Sequence, residues 1–222
     1  MGDKARLGAY DLLTRLPAYG TVEPWVARRI GEVDLVIVKR LQERLAGVPS
    51  VRNRFSREAK IASAVSHPNL VSVRDVGSDE NEMFLVTDFV VGPSFRAVME
   101  AVKARQTPLP LEIAAALILP VTEAVGHAHK AVAAEGRPLG IVHRDLSPKS
   151  LMATLTGDVR VLDFGVARAQ VNDFHTAPGS AVGTAEYLSP EQARAEEVDG
   201  ASDVYTLGVV LYELLSGRTI ID

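Results

Sequence analysis

The spacing of hydrophobic residues divides the chain into two parts of different character. Up to about residue 90, apolar residues occur in short β-branched runs, of which Leu-Val-Ile-Val at 35–38 is the most compact. Only residues 51–66 depart from this, because their apolar residues recur at helical spacing. Beyond residue 94 the apolar positions lie in long segments. The pattern predicts a strand-rich first part with one helix and a mostly helical second part.

Breaker residues set the expected boundaries in the first part. The helix predicted at 51–66 should end at His67-Pro68-Asn69. Two strands should follow at 71–76 and 83–90, and the chain should turn between them at Gly77-Ser78-Asp79. The stretch Val91-Gly92-Pro93-Ser94 is the expected hinge, so we predict domains at 8–91 and 92–222.

Two helices dominate the expected second part. The alanine-rich segment 111–133 predicts a buried helix, which Pro120 should kink because it removes a backbone hydrogen bond. A last helix should run over about 202–216, beginning at Asp203 and ending at Gly217.

Composition narrows the function classes. The chain has 222 residues, 47% of them hydrophobic, a net charge of −4 and no cysteine. Disulfides and cysteine-based zinc sites are therefore excluded, and bulk charge gives no attraction to nucleic acid. The longest apolar run, 113–121, is far shorter than the ~20 residues that span a bilayer. We expect a cytoplasmic protein with no membrane segment and no nucleic-acid partner.

The candidate chemistry lies in two short strings whose aspartates are eighteen residues apart: His143-Arg144-Asp145 and Asp163-Phe164-Gly165. Each string follows a β-branched run, so each aspartate should stand near the end of a strand. Phosphoryl transfer from ATP requires one carboxylate to orient the attacking hydroxyl and another to hold Mg²⁺. Together and in this order, the strings resemble the catalytic and metal-binding loops of eukaryotic-type protein kinases.

The resemblance extends over about residues 8–218 and implies an α+β, bilobal fold, with a small β-rich N-lobe and a mostly helical C-lobe. It implies that Lys39, at the end of Val36-Ile37-Val38-Lys39, neutralises ATP phosphates, and that Glu58 on the following helix pairs with it. The alternative reading makes Lys39 and Glu58 ordinary surface charges.

In the catalytic strings, the resemblance implies that Asp145 is the general base or hydroxyl-orienting group and that Asp163 binds Mg²⁺. His143 would be a packed structural residue, and Asp203 would accept hydrogen bonds from the backbone of the catalytic loop. Arg144 could pair with a phosphate on the activation segment. The implied cofactors are ATP and Mg²⁺, and the implied partner is a protein substrate or a regulatory protein.

The stretch 183–191 resembles the end of an activation segment of serine/threonine rather than tyrosine kinases. Thr184 would lie near Asp145. Thr176 and Ser180 are the candidate phosphorylation sites, with the alternative that they are merely loop hydroxyls.

Three parts of the expected site depart from the family pattern. At 17–22 the three signature glycines of the phosphate-covering loop are replaced, so that only Gly20 remains to contact ATP, and Pro24 follows where valine is usual. Ser150 stands where an asparagine would bind the second Mg²⁺, and a hydroxyl is the poorer ligand. Ser147 stands in place of a lysine.

The sequence ends at Asp222, so we expect a C-lobe lacking its last helices. This would leave Glu191 without its usual arginine and the apolar face of the last helix uncovered. Three readings follow: a serine/threonine kinase with weakened activity, a pseudokinase that acts as a regulatory or scaffolding module, or a fragment without function.

Overall fold

The computed structural model describes residues 6–79, 82–106, 108–133, 135–164 and 185–220. The chain forms two compact units. The first comprises Met1–Ser66 and Val71–Phe89, and the second comprises His67–Leu70 and Val90–Asp222. The chain therefore enters the second unit briefly at His67–Leu70 before returning to the first.

The first unit is built on a six-stranded antiparallel sheet in the order β1-β2-β3-β4-β6-β5. Its strands are β1 (Arg6–Leu7), β2 (Tyr10–Arg15), β3 (Val22–Arg29), β4 (Leu35–Leu41), β5 (Val73–Asp79) and β6 (Glu82–Asp88). The predicted strand-rich character of this part is confirmed.

Two helices accompany this sheet, where the sequence predicted one: α1 (Glu43–Ala46) and α2 (Pro49–Ser63). The helix predicted at 51–66 thus begins two residues earlier, because Pro49 suits the first helical position. It also ends three residues earlier, where the N–H of Ala64 bonds the carbonyl of Ile61 in a tightened last turn.

Aromatic and aliphatic side chains form the core of the first unit. Its buried members are Leu7, Tyr10, Leu12, Ala27, Val38, Phe84 and Val86.

The predicted turn at Gly77-Ser78-Asp79 is wrong, since β5 continues through these residues. Gly77 lies opposite Phe84, and a Cβ there would overlap the Phe84 ring. The glycine marks a close approach within the strand rather than a turn.

The second unit is mostly helical, as predicted. Its elements are α3 (Phe95–Arg105), α4 (Leu111–His129), β7 (Leu151–Ala153), β8 (Val159–Val161), a 3₁₀ turn (Ala185–Tyr187), α5 (Pro190–Ala193) and α6 (Gly200–Ser216). Strands β7 and β8 pair antiparallel.

Helix α4 continues through Pro120 and ends at His129, four residues before the predicted end. Among the described residues it is the one helix long and apolar enough to cross a membrane. It nevertheless buries Ala114, Ile118, Val121 and others of its residues, and it packs against α6 and β8. The core helix of a soluble protein has the same composition.

Helix α6 begins earlier than predicted. Its N-cap is Asp199, whose carboxylate accepts the N–H of Ala201 (2.8 Å), so that Asp203 lies within the first turn. Its predicted end at Gly217 is confirmed by that residue's positive φ of 66°.

The predicted uncovered face of α6 is only partly present. Leu207, Val210 and Leu214 are buried within the second unit, whereas Val204 is 64% exposed. The prediction is wrong for the three buried residues because α4 packs against α6.

The stretch around Gly92 pairs with β7. The N–H of Ala153 donates to the carbonyl of Pro93 (2.9 Å), and Ser94 bridges Met152. Gly92 has a φ of 154°, and a Cβ at this position would overlap the carbonyl oxygen of Ala153. Only glycine fits this position.

The segment His67–Leu70 adds a short edge beside β8. The N–H of Val161 donates to the carbonyl of Asn69 (2.7 Å), and Nδ2 of Asn69 donates to the carbonyl of Val159 (2.9 Å). Leu70 also forms a parallel bridge with Val161. The segment is thus held by both its backbone and a side chain.

Candidate active site

Lys39 is a buried lysine in the middle of the first unit's sheet. It lies on β4 between Pro24 of β3 and Leu85 of β6, and it is 4% exposed. Lysine is almost never buried to this extent without an interacting group. The reading of Lys39 as a surface charge is therefore wrong.

Glu58 lies on α2 and is half-buried, between the buried Phe55 and Ala59. It belongs to the same unit as Lys39. The pairing of Lys39 with Glu58 remains a prediction.

The stretch that replaces the glycine-rich loop still forms a hairpin. Tyr19 and Val22 exchange two backbone hydrogen bonds (3.2 and 3.0 Å), and Gly20 between them has a φ of 52°. A glycine at positive φ as the first of two central residues is typical of tight hairpin turns. The amide of Gln42 donates to the carbonyls of Gly20 (3.2 Å) and Val22 (3.3 Å), which ties the turn to the end of β4.

Pro24 is accommodated within β3. Its carbonyl accepts the N–H of Leu16 (2.9 Å), so the side of the backbone that lacks an N–H faces Leu16. In an antiparallel ladder, the N–H and C=O of one residue point towards the same neighbouring strand. Pro24 has no N–H to donate back to Leu16, so these two residues share one hydrogen bond instead of two. The proline costs one hydrogen bond without ending the strand.

A charged cluster that the sequence did not indicate fixes β4 beside Lys39. The carboxylate of Glu23 bonds Arg15 (2.6 Å), Arg40 (2.6 Å) and Nε1 of Trp25 (2.8 Å), while Arg40 also reaches Glu82 (3.2 Å). Burial alone would raise the pKa of Glu23, but the hydrogen bonds from Trp25 and Arg40 hold it below its usual value. The cluster joins four strands.

In the second unit, His143 is fully buried and holds together the loop that carries Asp145. Its Nδ1 accepts the N–H of Asp145 (3.3 Å), and its Nε2 donates to the carbonyl of Leu162 (2.8 Å). Phe164 packs edge-on against the imidazole, with ring centroids 4.9 Å apart. With both nitrogens engaged, His143 is the packed structural residue that was predicted.

Asp203 holds the same loop from α6. Its Oδ2 accepts the N–H of His143 (2.8 Å) and its Oδ1 accepts that of Arg144 (2.9 Å), which confirms the prediction. His129 of α4 lies 2.8 Å from Oδ2. Burial opposes ionisation, yet the hydrogen bonds from His129 and from the loop keep the pKa of Asp203 below its usual value.

Both strings contain a non-glycine residue in the left-handed region. Arg144 has a φ of 66° and Asp163 a φ of 61°. Such conformations cost of order 1–3 kcal/mol and persist only where the surroundings hold them. The loops around both candidate aspartates are therefore shaped by their neighbours rather than by local preference.

Ser150 closes the loop that follows Asp145. Its hydroxyl accepts the N–H of Ser147 (3.0 Å) and lies within donating distance of the carbonyls of Ser147 (3.0 Å) and Asp145 (3.3 Å). The hydroxyl is thus engaged with backbone on the inner side of the loop.

The stretch after residue 184 docks onto α6. Ser189 and Gln192 form a capping box at α5, and the hydroxyl of Ser202 donates to the carboxylate of Glu191. This hydrogen bond lowers the pKa of Glu191. The expectation that the carboxylate of Glu191 would be left without a partner is wrong, because it accepts this hydrogen bond from a serine on α6.

Helix α6 also carries a buried carboxylate, Glu213. The phenol of Tyr187 donates to Glu213, which also approaches Arg96 (3.4 Å). Burial and the bond to Glu213 raise the pKa of Tyr187.

The structure does not describe four of the predicted residues, namely Thr176, Ser180, Thr184 and Gly165. The predicted phosphorylation sites therefore stay predictions.

Comparison with known families gives one match over most of the chain: residues 18–222 match the protein kinase domain. The tyrosine-protein kinase MasK of Myxococcus xanthus is 32% identical over 94% of this chain. The serine/threonine-protein kinase PknB of Mycobacterium leprae is 38% identical over 94%. The chain spans about a third of the length of these relatives, 33% and 32% respectively.

Solved structures show the same fold. The kinase domain of PknI from Mycobacterium tuberculosis superposes with a TM-score of 0.72 at 24% identity, covering 100% of this chain and 80% of that one. The bilobal, kinase-like fold class is thereby confirmed.

Proposed function

The chain belongs to the protein kinase domain family, and we propose that it is the catalytic domain of a serine/threonine kinase that transfers the γ-phosphate of ATP to protein hydroxyls. Members of this family use ATP with a divalent metal and act on proteins. Similarity to the PknB kinases and the pattern at 183–191 support serine and threonine as acceptors. We place the domain in the cytoplasm.

One observation carries the proposal: the loop bearing Asp145 is fixed in an unfavourable conformation from several sides. Asp203 holds its backbone from α6, and His143 bonds the N–H of Asp145 itself. Catalysis by positioning requires a loop that is held in this way, because the reaction slows greatly when the acceptor hydroxyl is not correctly placed. In this proposal Asp145 orients the acceptor hydroxyl and takes up its proton.

In the first unit, Lys39 would neutralise the α- and β-phosphates, and Glu58 would hold Lys39 in position. The hairpin at Tyr19–Val22 would cover the phosphates with the backbone of Gly20. Its weaker resemblance to a glycine-rich loop predicts weaker ATP binding than the family pattern gives.

Asp163 would hold Mg²⁺, and the bound ion would neutralise the charge that develops on the phosphate oxygens. No group of three or more His, Cys, Asp or Glu residues among the described part of the chain could enclose a metal. The proposed donors, the carboxylate of Asp163 and the hydroxyl of Ser150, fit Mg²⁺, because this ion commonly takes one or two carboxylates and completes its shell with phosphates and water. Ser150 would contribute the remaining lone pair of its hydroxyl.

A catalytically impaired binding module is the second candidate. The observation that favours it is the hydroxyl of Ser150, which is engaged with the backbone of its own loop. A protein with this weakness would bind regulatory partners and retain little phosphotransfer.

The test is phosphate transfer from labelled ATP to a generic protein substrate, followed by phosphoamino-acid analysis. We expect Mg²⁺-dependent label on serine and threonine, abolished by Asp145→Asn and by Asp163→Asn. The matched control is Asp34→Asn, at an exposed loop position outside the proposed site. A folded wild-type protein that transfers no label would contradict the enzyme and favour the binding module, whereas label on tyrosine would overturn the assigned acceptor.

A further inference from the structure

The backbone of Arg144 is held by side chains from two different helices. Its N–H donates to Oδ1 of Asp203 on α6 (2.9 Å), and its C=O accepts from Nε2 of Gln192 on α5 (2.7 Å). Since Arg144 has a φ of 66°, these bonds hold a conformation that the residue would not adopt unaided. Asp145 follows directly, so the direction of its side chain depends on both bonds.

Gln192 is itself fixed at its other end. Its Oε1 accepts the N–H of Ser189 (3.0 Å), while the hydroxyl of Ser189 accepts the N–H of Gln192 (3.4 Å). Gln192 is 8% exposed and Ser189 is fully buried. The oxygen of the amide must accept and its nitrogen must donate, so the N–H of Ser189 and the carbonyl of Arg144 together determine the orientation of the Gln192 side chain.

Helix α5 has only four residues, too few to be stable alone, so its position depends on such contacts. The side chain of Gln192 forms a direct hydrogen bond from α5 to the backbone just before Asp145. An element that closely follows residues 165–184 in sequence is thereby joined to the catalytic loop.

We propose that Gln192 is a positioning residue that couples the docking of α5 to the geometry of Asp145. When α5 is docked, its amide holds the carbonyl of Arg144, and the loop presents Asp145 in the catalytic direction. When α5 shifts, that carbonyl loses its donor and the loop relaxes. This inference rests on the proposed role of Asp145 in phosphotransfer.

Two variants separate this role from simple capping of α5. Gln192→Glu can still accept the N–H of Ser189 but, as a carboxylate, donates nothing to Arg144. Ser189→Ala removes the hydroxyl of the capping box and leaves the bond between Gln192 and Arg144 in place. If Gln192→Glu does not fold, Gln192→Met has similar length and carries no charge.

Hydrogen exchange gives a readout that does not depend on activity. We expect the amides of Arg144 and Asp145 to exchange on the order of tenfold faster in Gln192→Glu or Gln192→Met than in wild type at neutral pH. Ser189→Ala should speed exchange in α5 and affect these two amides much less, because Gln192 still bonds the carbonyl of Arg144. Unchanged exchange in both Gln192 variants, or an equal effect from Ser189→Ala, would overturn the coupling.

Kinetics then test the catalytic consequence. We expect Gln192→Glu to lower kcat by about tenfold with little change in KM for ATP, because the lost bond acts on hydroxyl orientation. A raised KM with unchanged kcat would overturn the inference. If wild-type protein transfers no phosphate, the proposed function fails, and the exchange experiment alone decides whether Gln192 couples α5 to the loop.

Discussion

Nε2 of His129, on α4, and Oδ2 of Asp203, on α6, lie 2.8 Å apart. The same carboxylate accepts the N–H groups of His143 and Arg144, so one buried aspartate joins two helices to the loop that carries Asp145. Removing one partner from such a network costs more than a surface hydrogen bond, because the remaining donors stay buried.

Strong acid should weaken this network. Burial works against the ionised form of Asp203, but hydrogen bonds from His129, His143 and Arg144 hold its pKa below the ordinary value of 3.8. Because the folded pKa is the lower one, the stabilisation is fully present above the unfolded pKa and is lost as the pH falls through the folded value.

We therefore expect the free energy of unfolding to fall more steeply below about pH 4 in wild type than in Asp203→Asn. Denaturant unfolding at a series of pH values measures this. Asp199→Asn is the control, since asparagine caps a helix as well as aspartate does. Parallel acid limbs in wild type and Asp203→Asn would show that Asp203 is not the group that titrates.

Two glycines of α6 should respond differently to alanine. A Cβ at Gly200 would lie 2.9 Å from Nδ1 of His129, whereas a Cβ at Gly208 has no neighbour within 4 Å. Gly208→Ala should stabilise the protein by about 0.5–1 kcal/mol through helix propensity. Gly200→Ala should lose that gain because it displaces the imidazole from Asp203.

Thermal unfolding of both variants measures the difference, and His129→Ala combined with Gly200→Ala tests its cause. The double variant should tolerate the alanine better than wild type does, because the clash is gone. An equal gain in stability for Gly200→Ala and Gly208→Ala would rule out the proposed clash.

Gly92→Ala should be more damaging than an ordinary glycine replacement. At Gly157, with a φ of 90° and open space around the Cβ position, alanine should cost about 1–2 kcal/mol of backbone strain alone. At Gly92 the new Cβ would also overlap the carbonyl oxygen of Ala153. Denaturant midpoints of the two variants compare them directly, and equal losses would contradict the close approach.

Ser150→Asn should strengthen metal binding if the loop can admit the larger side chain. An amide carbonyl is a better Mg²⁺ ligand than a hydroxyl already bonded to Ser147. We expect a lower Mg²⁺ requirement for ATP-induced stabilisation, by about 10-fold if this ligand resembles other metal-supporting groups. Ser150→Ala is the control and should not lower it; the same shift in both variants would point to loop relaxation.

The periodic parts of the fold could be predicted from the sequence because their patterns are local. The continuous apolar run at 35–38 indicated β4, and the β-branched runs before His143 and Asp163 led to the candidate aspartates. Gly77 was misread since a glycine inside a strand looks like a turn until its neighbour is known. That neighbour, Phe84, lies on another strand.

Polar contacts between distant elements were the part that sequence reasoning missed. Glu23 and Arg40 are unremarkable charges in the sequence, and only the register of β3 and β4 sets them side by side. Gln192 likewise gains its meaning from Arg144, 48 residues away. A capping signal, serine followed three residues later by glutamine, would have indicated α5 but not its link to the loop.

The brief entry of His67–Leu70 into the second unit limits how this protein can be divided. A fragment cut at residue 90 would carry Asn69 without the carbonyl of Val159 and without the N–H of Val161. A fragment starting at residue 90 would expose β8 along the edge that Leu70 now covers. Neither half has a complete set of backbone partners. We therefore expect two separately expressed halves to fold poorly. We also expect the two lobes to stay together in evolution and to require transfer as one unit in engineering.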